Sequence, residues 1–166
     1  NNSIILARDG GNSRWSLHTR NGTSSSEHKI YTSAGLNPDQ WVHLVATIDF
    51  TTGTQKIYQD GVLTATGTNS ITSSIGTLTR SNHYLGRSNW SSDIGFSGIF
   101  AYFRVWNSIL TENDVSVLFD NRNYTNTTEP INMWGLQLWL DANNIDGQNN
   151  ASLSHGNTVT LWNDRR

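Results

Sequence analysis

The chain has 166 residues, enough for one domain with a substantial core. Lys and Arg number 11 against 13 Asp and Glu, giving a net charge of -2 with only 14% of residues charged, and no basic cluster offers a nucleic-acid surface. Cysteine is absent, so disulfides contribute nothing, and no apolar run is long enough to span a bilayer as a helix.

Helical periodicity is nearly absent. Short runs rich in Val, Ile, Thr, Tyr and Trp recur between Gly, Asn, Ser and Asp clusters, the pattern of an all-β fold. The chain opens on Asn1-Asn2-Ser3 without Met and reads as a mature or cropped product. Residues 2–9, with Ile4-Ile5-Leu6-Ala7, predict a short buried strand. A turn at 9–13 leads to an alternating strand at 15–19, paired with the first. Asn21-Gly22 supports a tight hairpin to a third strand at 28–32.

The stretch 41–67, WVHLVATIDFTTGTQKIYQDGVLTATG, reads as two successive hairpins. In 41–49, Val42, Leu44, Ala46 and Ile48 make one apolar face, and Trp41, His43, Val45, Thr47 and Asp49 make a mixed one. That suits the interior of a sandwich. Gly53 supplies a positive φ in the loop 50–54, and 55–59 is the next strand. Asp60-Gly61 is the strongest turn signal, because a type I′ turn needs positive φ at both central residues. Residues 62–66 return as a strand, and 68–81 is a polar loop.

A strand is predicted at 83–87, then a loop over 88–96. Residues 98–106, GIFAYFRVW, are apolar on both faces and predict a central strand. One helix is expected at 112–121, at one end of the sandwich. Thr111 is its N-cap, Asp114 takes the capping-box position, and Val115, Leu118 and Phe119 form its apolar face. Residues 123–132 read as a linker interrupted by Pro130. Strands follow at 135–141, with Leu136, Leu138 and Leu140 on one face, and at 158–162.

The ordered set W-x-H-L-V-A-T-x-D, x-Y-x-D-G-V-L-x-A-x-G, Y-L-G-R and F-S-G-x-x-A-x-x-R-V-W-N-x-x-L-T-x-x-D-V resembles the laminin-G-like, concanavalin A-like jelly-roll superfamily. It is carried by Trp41, His43, Asp49, Tyr58, Asp60, Gly61, Gly86, Gly98, Arg104, Trp106, Asn107, Leu110 and Thr111, within residues 4–121. The resemblance implies an all-β fold, a two-sheet antiparallel jelly-roll sandwich with one short helix near 112–121. Residues 1–122 then form the domain, apparently without its usual first strands, and 123–132 the linker. Residues 135–142 resemble the first strand of such a domain. So 133–166 either begin a following repeat or supply a complementing strand, to their own domain or to a neighbour.

The superfamily contains glucanases, which need two carboxylates flanking the scissile bond. Glu27, Glu112 and Glu129 form no alternating pair on a strand, and no nucleophile elbow is present, so no enzyme is expected. Many relatives carry calcium in a rim loop. The resemblance therefore makes Asp9, Asn12 and Asp93, with Asn89, the candidate oxygen ligands. Against this, Tyr102 stands where many relatives place an acid, and Asp9 and Asp93 equally suit plain turns. His18, His28, His43, His83 and His155 show no metal-ligand spacing.

Trp90, with Asn89, Tyr84 and Arg87 nearby, is the best glycan-binding constellation. An aromatic ring stacks on a sugar's apolar face while Asn and Arg hydrogen-bond its hydroxyls. Trp15 is a second candidate, and Trp41, Trp106, Trp139 and Trp162 read as core. Sequons at Asn1, Asn21, Asn89, Asn123, Asn126 and Asn150 matter only in a glycosylating host. The expectation is a non-enzymatic, adhesin-like module of a multi-repeat protein, extracellular or exposed on a cell or virion surface. It binds a glycan or cell-surface polysaccharide, with calcium as the one candidate cofactor and no nucleic acid or membrane insertion. The alternative is a structural subunit of a fibre, filament or surface assembly. There the partners are neighbouring copies, joined by strand complementation.

Overall fold

The computed structural model describes residues 3–22, 27–33, 36–68, 82–122 and 135–141. It divides into two compact units, Asn1–Thr77 with Ile109–Pro130, and Leu78–Ser108 with Ile131–Arg166. The described strands form three antiparallel sheets with one short helix, consistent with a jelly-roll sandwich.

In the first unit, β1 (Ser3–Arg8), β2 (Trp15–Arg20) and β3 (Glu27–Tyr31) form one sheet in that order. β4 (Leu44–Asp49), β5 (Thr54–Gln59) and β6 (Val62–Thr68) form the other. Leu17, Ile30 and Ile57 are buried between them, with Leu44, Ala46, Ile48 and Ala65 packed around. Burying each large aliphatic side chain contributes about 1.5–3 kcal/mol. Within this layer Gln55 Nε2 donates to Thr19 Oγ1, a polar link between the sheets. A Cβ built on Gly67 falls 2.6 Å from Ile30 Cγ2, so the two sheets meet there without room for a side chain.

The turns obey their residues. Asp60 and Gly61 adopt φ of 51° and 82°, and Gly53 adopts 74°. The outer face of β4 is buried as well, at His43, Val45 and Thr47. The cover is α1 (Glu112–Asp120). The His43 ring lies 5.8 Å from the Phe119 ring, and Lys56 Nζ pairs with Glu112 at 3.0 Å. The helix therefore lies over the second sheet rather than at the end of the sandwich. Thr111 and Asp114 complete the capping box, and Val115 and Leu118 are buried.

Several expected boundaries move. β4 begins at Leu44, not at 41, because its partner β5 ends at Gln59, opposite Leu44. The Asp60–Gly61 turn then takes the chain away, and Asp60 Oδ1 accepts from His43 N at 2.9 Å. With no partner strand, Trp41 is 69% exposed, not core. β1 is an edge strand rather than a buried one, with Ile4 50% and Leu6 40% exposed. Arg20 pairs with Glu27, so six residues (21–26), not a tight two-residue turn, join β2 to β3.

In the second unit, β7 (Tyr102–Trp106) pairs antiparallel with β8 (Leu136–Asp141) of the same chain. Phe103 faces Leu140 and Val105 faces Leu138 across the pair. β7 is shorter than the predicted 98–106, with Ile99 outside it and 74% exposed. Among the described residues its sheet has two strands, β7 and β8. No strand forms at 83–87. Arg87 folds back over the Tyr84 ring three residues earlier, which requires a turn. The expected loop over 69–81, the linker at 123–132, the strand at 158–162, Trp162, His155, Glu129 and the sequons at Asn1, Asn123, Asn126 and Asn150 lie outside the described residues, as does the core assignment of Trp139. Among the described residues no helix is long and apolar enough to cross a membrane.

Candidate functional site

The second unit carries a closed loop between Gly86 and Phe96. Gly86 takes a φ of 77°, and its carbonyl accepts from Phe96 N at 2.8 Å. The Phe96 and Phe100 ring centres lie 4.5 Å apart, and a Cβ at Gly86 would be in ordinary contact with Phe100 at 3.4 Å. The hydrogen bond thus joins the two ends of residues 87–95, and the aromatic pair holds the C-terminal one. Inside, Trp90 N donates to Ser88 Oγ at 3.2 Å, and Asp93 N donates to the Trp90 carbonyl at 3.1 Å. These bonds hold Trp90 at the head of a turn, 48% exposed, with Asn89 exposed beside it.

At the base, the Arg87 guanidinium carbon sits 4.3 Å from the centre of the Tyr84 ring. Such stacking contributes about 0.5–1 kcal/mol at an exposed site. It also means that Tyr84 offers this face to Arg87 and not to a ligand. The loop therefore brings together Tyr84, Arg87, Asn89, Trp90 and Asp93. Its chemistry is one half-exposed indole, a fixed cationic fork and short polar side chains.

Trp15, Asp9 and Asn12 belong to the first unit. Trp15 is half-buried with its indole nitrogen enclosed, and its backbone N donates to Thr32 Oγ1 at 3.0 Å. That is the environment of a packing residue. Asp9 Oδ2 accepts from Arg14 Nε at 2.6 Å and from Asn12 Nδ2 at 3.0 Å. The Arg14 contact holds this carboxyl below the usual aspartate range. Both of these bonds fall on Oδ2. Among the described residues no group of three or more His, Cys, Asp and Glu is placed to hold a metal ion.

A second polar constellation, on the outer face of β1–β3, escapes sequence reasoning. Glu27 Oε2 pairs with Arg20 at 3.0 Å and Lys29 at 3.2 Å, and its Oε1 lies 3.3 Å from His18 Nδ1. His18 Nε2 meets Ser16 Oγ at 3.0 Å. The order Ser16, His18, Glu27 copies a hydrolytic relay. The nucleophile position is closed, however: Ser16 is 1% exposed, and its hydroxyl donates to the Ala7 carbonyl at 3.1 Å. Period-2 alternation does place Ser16, His18 and Arg20 on one face. Only the cross-strand register, Arg20 opposite Glu27 and His18 opposite Lys29, adds the acid and the second cation.

Three carboxylates, Asp9, Glu27 and Asp49, are shifted downward. Arg20, then Lys29, hold Glu27 at about 2. The Thr52 and Thr51 donors lower Asp49. A general acid of a glycosidase needs the opposite, a raised pKa.

Residues 1–116 match the family model described as the concanavalin A-like lectin/glucanases superfamily, Laminin_G_3. Among curated proteins nothing matches significantly. Among solved structures, the crystal structure of residues 221–444 of an S-layer domain-containing protein from Clostridium thermocellum is similar. It matches at 16% identity with a TM-score of 0.42, over 72% of this chain and 63% of that one.

Proposed function

The chain belongs to the concanavalin A-like lectin/glucanase superfamily, and from that premise we propose that it is a non-catalytic recognition module of an extracellular or surface-exposed protein, with Trp90 as the stacking platform for a sugar ring. The observation that carries this reading is the pinned loop. Trp90 stands half-exposed on a turn held shut by the Gly86–Phe96 hydrogen bond and the Phe96–Phe100 pair. A platform ordered before binding spends little of the interaction on ordering. Asn89 and Arg87 supply donors beside it. The low charge and the wealth of Asn, Ser and Thr suit an environment-facing surface. The lowered carboxylates Glu27, Asp9 and Asp49 support recognition over hydrolysis.

Retention on immobilised polysaccharides and glycan arrays tests this. Trp90→Ala is expected to abolish retention while circular dichroism stays unchanged, and Trp90→Phe to keep part of it. Retention that survives Trp90→Ala, or no retention by the native chain on any glycan, removes the reading. Stacking on Trp90 draws on no cation, so EDTA is expected to leave retention unchanged in the same assay.

A second reading, a subunit of a surface assembly, draws on β1, which is at the sheet edge among the described residues, with its exposed Ile4 and Leu6. The pairing of β8 with β7 of its own chain supports residues 133–166 as completing their own unit rather than a neighbour's. Oligomers that disperse in Leu6→Lys favour assembly. A monomer at every concentration counts against it.

A further inference from the structure

We propose that the Trp90 loop selects a carboxylate-bearing sugar, a uronic or other acidic residue of a polysaccharide, through Arg87; this rests on the reading of Trp90 as a sugar platform. The Arg87 guanidinium carbon lies 4.3 Å from the centre of the Tyr84 ring, and its Nε reaches toward the Ser88 carbonyl at 3.5 Å. Among the described residues it makes no ion pair, whereas Arg14, Arg20, Lys29 and Lys56 each hold an acid. A guanidinium fixed by stacking, with its outer N–H groups unspent on an acid, is built to take a planar carboxylate two-pronged.

Arg87 and Trp90 lie on the same hydrogen-bonded loop. The residues are three apart, so their Cα atoms lie within ~10 Å, the span of one or two sugar rings. Ser88 ties both, receiving Trp90 N on its hydroxyl and facing Arg87 Nε with its carbonyl. A neutral sugar would stack on Trp90 equally well but leave this fork unmatched. Arg87 thus supplies discrimination and Trp90 supplies the platform.

The test is retention of the full chain on four immobilised polymers. They are polygalacturonate, its carboxyl-reduced form, dextran and dextran sulfate. The native chain is expected to hold polygalacturonate at least about tenfold more tightly than the reduced form, the scale of one charge-assisted pair. Arg87→Gln should erase that difference, mainly by weakening the hold on polygalacturonate. Arg87→Lys should restore only part of it, because an ammonium cannot pair two-pronged. Equal retention of the acid and reduced polymers, lost in Trp90→Ala, overturns the acid preference but keeps the platform. Preference for dextran sulfate, or polygalacturonate binding indifferent to Arg87→Gln, also overturns it. No retention on any polymer removes the platform and the preference together.

Discussion

Glu27 shows how a single residue ties stability to pH. Its folded pKa of about 2 lies below its ordinary 4.5, mainly through Arg20. A depressed carboxylate stabilises the fold above its unfolded pKa and loses that contribution as pH falls through the folded one. Solvent screening on an outer sheet face reduces the contribution to about 1–2 kcal/mol. Denaturant midpoints are therefore expected to drop between about pH 4.5 and 2, and Glu27→Gln to flatten that drop. His18 acts in the same direction by a different route. Burial, then Lys29, pushes its pKa below the ordinary 6.5, against the pull of Glu27. The unfolded chain then takes up the proton more readily, so stability starts to fall as pH drops below about 6.5. An unaltered pH profile in both Glu27→Gln and His18→Gln would contradict this account of the network. Gly67 is sensitive for a steric reason. Gly67→Ala drives a methyl against Ile30 between the sheets and is expected to cost about 1–3 kcal/mol in the unfolding midpoint.

The elements differ in how far neighbours decide them. α1 is local. Thr111 and Asp114 bond each other's backbone reciprocally, and a helix bounded this way is readable from four consecutive residues. Thr111→Ala should cost about 1 kcal/mol, seen as a lower denaturant midpoint. The Asp60–Gly61 turn is local too, since its two positive φ values follow from the residue types. β4 and β7 are not. Trp41 and Ile99 are large apolar residues just before their strands, yet each stands beyond the last partner residue and is exposed. A strand ends where its hydrogen-bonding neighbour ends, and that neighbour is distant in sequence. The loop 87–95 has the same dependence: His83 to Arg87 alternates like a strand, but the Phe96–Phe100 pair and the Arg87–Tyr84 stack curl it into a turn.

At the scale of the whole molecule, the chain forms two compact units, each drawing on two separated stretches of sequence. β7 depends on β8, some thirty residues later, for its backbone partners. Leu138→Asp places a charge opposite Val105 and is expected to strip hydrogen-exchange protection from residues 102–106 while β1–β6 keep theirs. Simultaneous loss in both units would show a single cooperative structure instead. The alternation of apolar residues and the turn-forming glycines were enough to establish an antiparallel β fold and the helix α1, because these are set by side-chain period and local backbone preference, and the ordered motifs carried the resemblance to the superfamily. The tertiary structure alone decided which faces are covered, where the strands stop, that β8 docks on β7 of its own chain, and that Glu27 meets His18, Arg20 and Lys29. Cross-strand register joins residues whose separation in sequence carries no periodic signal, so those contacts exist only once the sheets are assembled.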